Sequence, residues 1–273
     1  MENFEYVKKL LAKQNIYTVG AIKIQDCKIL REYKLKNAGF DDVSSLFVYI
    51  FAIPYYPRIN DQKNISTYAI PRDYHAYFDA LSSALTDDLK KNFPQYKFAA
   101  FADNSPIDER LAAVMTGIGI KGENGLVITE KYSSYVFLGE IITDMPTEMC
   151  QINEIKNCIG CKRCAASCPK QEIGECLSSL TQKKGALTNS EIAAIKKHGS
   201  AWGCDLCQEC CPHTEKAIRD GTIYSPIEFF NEKLTPYLTK DIINDMSDEE
   251  FAGRAYSWRK KETILRNLEI LSK

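Results

Sequence analysis

The sequence predicts an α/β fold in which an N-terminal domain with a mixed sheet precedes a cysteine-rich module and a short helical tail. Apolar strand-like runs alternate with amphipathic helical patterns over residues 1–148. Ten of the eleven cysteines lie within residues 149–222, and helical patterns resume over residues 223–273. These three observations set the expected boundaries of the domain, the module and the tail.

In the N-terminal domain, apolar positions at helical spacing predict helices over 4–13, 26–37, 73–91 and 107–116. Runs rich in β-branched and aromatic residues predict strands over 45–52, 96–102, 126–129 and 135–143, the last two paired in one sheet. Further along, a helix is predicted over 190–198, and Ser247 is predicted to cap a helix in the tail.

The cysteine spacing is the most specific signal in the chain. A first run has the spacing C-x2-C-x2-C-x3-C-P, formed by Cys158, Cys161, Cys164, Cys168 and Pro169. A second run contains a C-x2-C pair and another Cys-Pro, formed by Cys204, Cys207, Cys210, Cys211 and Pro212. In two-cluster ferredoxins, the cysteine before proline binds the cluster that the rest of its run does not. The module is therefore predicted to be ferredoxin-like and to hold two [4Fe–4S] clusters.

Disulfides and structural zinc are the competing explanations for so many cysteines. The chain opens with a charged amphipathic pattern instead of a secretory signal, which favours a reducing, cytoplasmic location without membrane attachment. Zinc would suit two C-x2-C pairs, but it would not suit the longer first run. The formal net charge of −1 excludes a strongly basic field over the whole molecule.

Short motifs in the same order along residues 45–270 resemble the cobalamin-dependent epoxyqueuosine reductase family. Each motif is weak by itself, and their shared order over most of the chain carries the resemblance. They are Tyr68-Ala69 with Asp73-Tyr74-His75, Asp103-Asn104-Ser105-Pro106 with Glu109-Arg110, the glycine loop from Gly117 to Asn124, Phe137-Leu138-Gly139-Glu140, Glu175-Cys176-Leu177, and Gly203-Cys204-Asp205-Leu206-Cys207.

The resemblance implies which cysteines hold which cluster. One set would be Cys158, Cys161, Cys164 and Cys211, and the other would be Cys168, Cys176, Cys204 and Cys207. Cys210 is the competitor of Cys211, although the proline that follows Cys211 favours Cys211. Cys27 and Cys150 match no motif and are expected to be structural or merely accessible thiols.

The resemblance also implies that the N-terminal domain binds cobalamin beside the substrate, epoxyqueuosine in the anticodon arm of a tRNA. The residues that would bind the cofactor are Tyr68, His75, Gly117, Gly119, Gly122, Asn124 and Glu140. Asp103 corresponds to the family's catalytic aspartate, a general acid whose pKa burial against the cofactor would raise. The local sequence of Asp103 equally fits a turn that caps a helix. A low-potential donor such as flavodoxin or ferredoxin would supply the electrons.

The chain departs from the family pattern at three places. It is expected to be a short form, since it stops before the family's helical-repeat extension; Ile120 replaces the tryptophan of the glycine loop; and Glu123-Asn124 replaces the lysine and the following residue that the family usually has after the next glycine. A paralogous reductase for another substrate and a dicluster ferredoxin-like electron carrier are therefore alternative functions. The tail carries basic residues that would either contact phosphates or form a solvated helical face, namely Arg254, Arg259, Lys260, Lys261 and Arg266.

Overall fold

The computed structural model describes residues 2–59, 62–148 and 152–272. The N-terminal elements are α1 (Glu2–Ala12), β1 (Thr18–Lys23), α2 (Glu32–Asn37), β2 (Phe47–Pro54), α3 (Tyr74–Asn92), β3 (Phe98–Ala102), α4 (Glu109–Met115), β4 (Ile120–Lys121), β5 (Val127–Ile128) and β6 (Val136–Thr143). The later helices are α5 (Arg163–Ser167), α6 (Lys170–Ile173), α7 (Leu177–Thr181), α8 (Asn189–His198), α9 (Leu206–Glu209), α10 (Pro212–Arg219), α11 (Lys240–Asp245), α12 (Asp248–Ala252) and α13 (Lys260–Ser272). The α/β class predicted from the sequence is confirmed.

The main sheet has the strand order β1-β2-β6-β3, and each neighbouring pair in it is antiparallel. The expectation of a mixed sheet is therefore wrong. β2 and β3 do run in the same direction and are joined through α3, as in a β-α-β unit. However, β6 lies between these two strands and is antiparallel to both, so no parallel pair forms.

The predicted pairing of the strands over 126–129 and 135–143 is also wrong. The first of them, β5, pairs with β4 in a separate two-stranded hairpin, while the second, β6, is a central strand of the main sheet. Ala102 at the end of β3 pairs with Gly139 of β6. A Cβ atom on Gly139 would lie 2.5 Å from the Phe51 ring, so this position requires glycine.

Both faces of the main sheet are buried, which explains the continuous apolar run of β2. Tyr49, Phe51 and Ile53 point to a core that includes residues of α1 and α3. Val48 and Ile50 point to a second core, which includes residues of α4. Because side chains alternate along a strand, a strand covered on both faces is apolar at consecutive positions.

The segment around β1 and α2 differs from its prediction. β1, with the sequence Thr-Val-Gly-Ala-Ile-Lys, was missed, and it forms the edge of the sheet beside β2. The helix predicted over 26–37 is helical only over Glu32–Asn37. Residues before it instead bind the loop after β3: the amides of Leu30 and Arg31 both donate to the Pro106 carbonyl. Tertiary hydrogen bonds thus replaced the local helical preference.

The tail packs against both the N-terminal domain and the cysteine-rich module. A core of buried residues joins the segment before α3 to the tail and includes Ile70, Trp202, Tyr256 and Leu268. A smaller core joins Leu177 and Ile195 of the module to Ile270 of α13. The predicted helix over 190–198 is confirmed as α8, and Ser247 caps α12 in a capping box.

Two basic residues of the tail have internal roles. Arg254 is buried and donates to the carbonyls of Ile70 and Lys233, while Arg266 donates to the carbonyls of Lys183 and Gly185. These two side chains therefore form neither the phosphate-contacting surface nor the solvated helical face that the sequence suggested. No helix among the described residues is long and apolar enough to span a membrane.

Candidate active site and cysteine groups

A large open cavity lies where the N-terminal domain, the cysteine-rich module and the tail meet. Its empty volume is about 1250 Å³. The lining residues come from all three parts of the chain, and they are Tyr68, Asp73, Tyr74, His75, Asp103, Phe137, Ser178, Gln182, Ala255 and Trp258. Aromatic rings and a few polar groups dominate this lining, as in sites for large organic ligands.

Asp103 lies at the rim of this cavity, in the turn that follows β3. Its backbone φ of +61° is in the left-handed region, which few residues other than glycine adopt. The Tyr74 hydroxyl donates a hydrogen bond to Asp103 Oδ2, and His75 Nε2 lies 3.4 Å from the same oxygen. Residues held in sparsely populated backbone conformations concentrate at functional sites.

The groups around Asp103 are themselves held in place. His75 Nδ1 lies 2.8 Å from Asp73 Oδ1, so the imidazole ring bridges two carboxylates. The Tyr74 ring stacks on Phe137 with their centroids 4.1 Å apart. Burial, followed by the hydrogen bond to Asp103, raises the pKa of the Tyr74 hydroxyl, so it remains a proton donor in the pH range of enzymes.

The protein itself does not provide the burial expected for Asp103. Its side chain is 59% exposed, because it stands at the rim of the cavity instead of within the core. The family resemblance predicts that this carboxyl group lies against an apolar cofactor, and the surrounding protein atoms alone do not create that environment.

Two buried glutamates lie behind the Asp103 turn. Glu140 of β6 is fully buried, and its Oε2 accepts a hydrogen bond of 2.8 Å from Ser105 Oγ. Burial raises the pKa of Glu140 well above its usual range. Burial, followed by the charge of Asp103, raises the pKa of Glu109 to about 7. Glu140 Oε1 and Glu109 Oε2 have no hydrogen-bond partner among the described residues.

A second, smaller cavity connects Glu109 to Asp103. Its empty volume is about 530 Å³, and Tyr74, Asp103, Glu109 and Arg110 are among its lining residues. Asp103 therefore lies between two cavities, with the large one on its exposed side and the small one beside Glu109.

The first predicted cysteine set lines a cavity of its own, with an empty volume of about 330 Å³. Cys158, Cys161, Cys164 and Cys211 all contribute to its lining. Cys158 Sγ accepts a hydrogen bond of 3.4 Å from the backbone amide of Glu123. The fold thus brings Cys211, from a distant part of the sequence, to the three cysteines of the first run.

The second predicted cysteine set is also brought together. Burial, followed by the neighbouring Cys204, Cys168 and Cys176, raises the pKa of the Cys207 thiol to about 12. The pKa of Cys204 rises to about 11, chiefly through burial, with Cys176 and Cys168 among the further causes. Four thiols that influence one another in this way share one small volume.

Of the three remaining cysteines, Cys210 lies near the first set, because burial and then the neighbouring Cys210 raise the pKa of the Cys164 thiol. Cys210 Sγ lies 3.0 Å from Ser167 Oγ and does not line the first cavity. Cys27 Sγ lies 3.5 Å from the Lys23 carbonyl oxygen in the N-terminal domain. Cys150 lies outside the described residues. Among the described residues, no three His, Cys, Asp or Glu side chains are grouped closely enough to hold a single metal ion.

Asp205 anchors the second cysteine set to the N-terminal domain. It lies between Cys204 and Cys207 in the sequence, and its buried carboxylate accepts hydrogen bonds from the amide and the hydroxyl of Thr67, at 2.7 and 2.6 Å. Lys63 forms an ion pair with the same carboxylate. The C-x2-C pair is thereby held next to the segment that supplies Tyr68 to the large cavity.

The glycine loop lies away from the large cavity. Gly119 and Gly122 pack against the β4–β5 hairpin, and Gly117 packs against Asn153. Asn124 lines the first cysteine cavity and donates a hydrogen bond of 3.4 Å to the Cys207 carbonyl. Of the residues predicted to bind the cofactor, only Tyr68 and His75 line the large cavity, and Glu140 is buried behind it.

Several residues of the site were not identified from the sequence. Tyr74, Glu109 and Ser178 belong to motifs of the sequence, but the motifs assign none of them a role in the site. Gln182 and Trp258 belong to no motif, and each comes from a segment far from Asp103 in the sequence. No spacing or composition marks Trp258, and only the tertiary structure brings it to the cavity.

Curated proteins of similar sequence are epoxyqueuosine reductases. The protein of Cyclobacterium marinum is 30% identical, over 80% of this chain and 73% of its own length. The protein of Gloeobacter violaceus is 34% identical, over 70% of this chain but only 62% of its own length. This chain thus spans less than two thirds of the Gloeobacter relative. No protein-family model matches the chain.

Solved structures of epoxyqueuosine reductases have the same fold. The enzyme of Streptococcus thermophilus superposes with a TM-score of 0.78 at 23% identity, over 99% of this chain and 81% of that one. A complex with a stem loop of epoxyqueuosine-modified tRNA-Tyr superposes with a TM-score of 0.76 at 22% identity, over 98% of this chain and 81% of that one.

Proposed function

Because this chain belongs to the epoxyqueuosine reductase family, we propose that it is an oxidoreductase that converts epoxyqueuosine in tRNA to queuosine. In this reaction both carbon–oxygen bonds of the epoxide break and a carbon–carbon double bond forms. Two electrons and two protons are added, and the oxygen leaves as water. The observation that carries the proposal is the large cavity, where Asp103, Tyr74 and His75 converge in a member of this family.

The two cysteine groups fit two [4Fe–4S] clusters. Each group contains four thiols, and each includes the Cys-Pro cysteine of the other group's run, as two-cluster ferredoxins require. The absence of a site for a single ion among the described residues agrees with such clusters, because each thiolate binds its own iron and the sulfur atoms surround the cluster. The ligands would be Cys158, Cys161, Cys164 and Cys211 for one cluster, and Cys168, Cys176, Cys204 and Cys207 for the other.

The large cavity fits cobalamin. On the measure used for ligand pockets, its volume is about 740 Å³, which lies in the upper part of their roughly 300–1,000 Å³ range. The rings of Tyr68, Phe137 and Trp258 supply apolar surface for a flat macrocycle, and Ser178 of the cysteine-rich module places the second cysteine group nearby. Bound clusters and cobalamin would supply electrons at low potential to the substrate.

The protein side chains would then supply and guide the protons. Asp103 Oδ2 would donate a proton to the departing epoxide oxygen as a general acid. Tyr74 and His75 hold this oxygen atom from two directions, and Asp73 orients the His75 ring. The cofactor and the nucleobase of the substrate would cover the exposed face of Asp103 and exclude water from it.

The macromolecular substrate would be the anticodon arm of a tRNA. The complex of a related enzyme with a modified stem loop supports this part of the proposal. The electron donor would be a low-potential protein such as flavodoxin or ferredoxin, and the reaction would take place in the cytoplasm.

The test is anaerobic reconstitution with iron, sulfide and cobalamin, followed by reaction with an epoxyqueuosine-containing stem loop and a low-potential reductant. Mass spectrometry of the nucleosides should reveal loss of one oxygen atom. Asp103→Asn should lower turnover by about 10²–10⁴-fold with both cofactors retained. Cobalamin binding without any conversion of the stem loop would contradict the proposed substrate.

An electron carrier without its own substrate is a less suitable function. A carrier requires clusters near the surface but no cavity of this size, and it would not need the Asp73–His75–Asp103 arrangement. If the reconstituted protein contained clusters but bound no cobalamin, the carrier function would be favoured instead.

A further inference from the structure

The structure contains two carboxyl groups, Glu109 and Glu140, for which the proposed reaction has no use. Glu140 is on the same face of β6 as Leu138 and Ile142, which belong to the core beside α4. Glu109 is the first residue of α4. Glu109 lies close enough to raise the pKa of Glu140 further, after burial, and each of the two carboxyl groups has one oxygen without a partner among the described residues.

Burying an ionised carboxylate without a partner is costly, so such groups normally take up a proton. Glu140 receives a single hydrogen bond, from Ser105 Oγ, and Ser105 in turn accepts one from the Ile107 amide. This arrangement connects Glu140 directly to the turn that contains Asp103. A purely structural role would be met by a neutral side chain such as glutamine.

The position of Asp103 between two cavities suggests why a second proton source is needed. A substrate in the large cavity would cover the exposed side of Asp103 and separate it from solvent protons. The side of Asp103 that faces the smaller cavity would remain open to it, and Glu109 lines the same cavity. The space open to the centres of water molecules is about 130 Å³, which is ample for bridging water because one water needs roughly 10–15 Å³ on this measure.

We propose that Glu109 is a proton relay that returns a proton to Asp103, and this inference rests on the proposed function of Asp103 as the general acid. In the relay, the O–H bond of protonated Glu109 breaks and an O–H bond forms on the Asp103 carboxylate through a bridging water. No electrons move in this step. Glu109 regains its proton from solvent through the smaller cavity, while the buried Glu140 keeps its own proton behind it. Glu109 is thus a positioning residue that acts through Asp103.

The charges around the pair determine the expected pH dependence. Glu109 is influenced by Asp103, Asp108, Arg110 and Arg31, and Glu140 is influenced by Glu109. With a pKa of about 7, Glu109 carries a proton below pH 7 and loses it above. The turnover of the wild-type protein should therefore fall as the pH rises through 7.

The first experiment measures turnover of the reconstituted protein on the modified stem loop between pH 5.5 and 8.5 (about 1.5 units on either side of the pKa of Glu109). Glu109→Gln should lower turnover at pH 6.5 by about tenfold or more and remove the decline around pH 7. Small proton donors such as imidazolium should restore part of the lost turnover. Glu109→Asp, which keeps a carboxyl group, should retain part of the rate and the decline with pH. Glu130→Gln, at an exposed glutamate, is the matched control and should resemble the wild type.

The second experiment is independent of catalysis. Infrared difference spectra of the reconstituted protein without tRNA, taken during a pH titration, should contain a carboxylic acid band that disappears near pH 7. The band should be absent in Glu109→Gln and present in Glu130→Gln. A wild-type pH profile in Glu109→Gln, or the absence of this band from the wild type, would overturn the relay. If Asp103→Asn retained full turnover, the proposed function would fail, whatever the infrared result.

Discussion

At the scale of single residues, the candidate site depends on a few side chains with unusual surroundings. Asp103 combines a left-handed backbone with hydrogen-bond partners from the start of α3. The sequence motif identified Asp103 but could not identify Tyr74 as its donor. A contact between residues 29 positions apart depends on how α3 lies across the sheet.

Removing the Tyr74 hydroxyl should weaken the site without disturbing the core. Tyr74→Phe should lower turnover by about ten- to a hundredfold, because a hydrogen bond to a charged group is worth about 1.5–3 kcal/mol. Steady-state assays on the modified stem loop would measure this change. Tyr77→Phe is the matched control, since the buried Tyr77 hydroxyl has no hydrogen-bond partner in the described structure. Equal losses in both variants would argue against a specific role for Tyr74.

The raised pKa of Glu109 has a consequence for stability as well. A carboxyl group with a higher pKa in the folded protein stabilises the fold at low pH, and this contribution is lost as the pH rises from about 4.5 through about 7. Glu109→Gln should therefore gain stability relative to the wild type over this range, by about 3 kcal/mol at most. Thermal melts at pH 5 and pH 8 (roughly 2 units below and roughly 1 unit above the pKa of Glu109 in the folded protein) test this, with Glu130→Gln as control. A difference in melting temperature that does not change with pH would contradict the expectation.

At the scale of secondary-structure elements, short helices and turns bring distant thiols together. Cys211 immediately precedes α10, whose first residue is Pro212, and it faces the loop that contains Cys158 and Cys161. Cys210, one residue earlier, ends α9 and contacts Ser167 instead. The direction in which the chain leaves α9 therefore decides which of these two adjacent cysteines lines the first cysteine cavity.

Iron content should distinguish the two cysteines. Cys211→Ser should lose or destabilise one cluster, which would lower the iron content from about eight atoms per chain towards four. Cys210→Ser should retain both clusters, because its side chain does not line the cysteine cavity. Iron and sulfide analysis with electron paramagnetic resonance of the reduced protein would compare them. Loss of a cluster in Cys210→Ser alone would reverse the assignment.

At the scale of the whole molecule, the large cavity exists because the tail closes against the other two parts. Asn267 of α13 is fully buried and donates hydrogen bonds to the carbonyls of Thr181 and Ala201, at 2.7 and 2.8 Å. Thr181 is the last residue of α7, and the same helix contains Ser178, which lines the large cavity. The position of Trp258 in the tail depends on the same packing.

Substitution of Asn267 should weaken the contact between the tail and the cysteine-rich module. Asn267→Ala leaves two buried carbonyl groups without this donor, so we expect a loss of about 2–3 kcal/mol of stability. The melting temperature and the retention of cobalamin should both fall. Glu262→Gln, at an exposed position of the same helix, should change neither. Unchanged cobalamin retention in Asn267→Ala would indicate that the tail is dispensable for the cavity.

The sequence by itself determined the α/β class, the helices α1, α3, α4 and α8, and the spacing of the cysteines, because these depend on local periodicity and on short spacings. It also pointed to Asp103 through a resemblance in a turn. Only the tertiary structure decided that β6 separates β2 from β3, because strand order depends on which apolar faces find partners across the fold. It alone brought Glu109 near Glu140 and closed the large cavity with Trp258, since neither arrangement leaves a periodic trace in the chain.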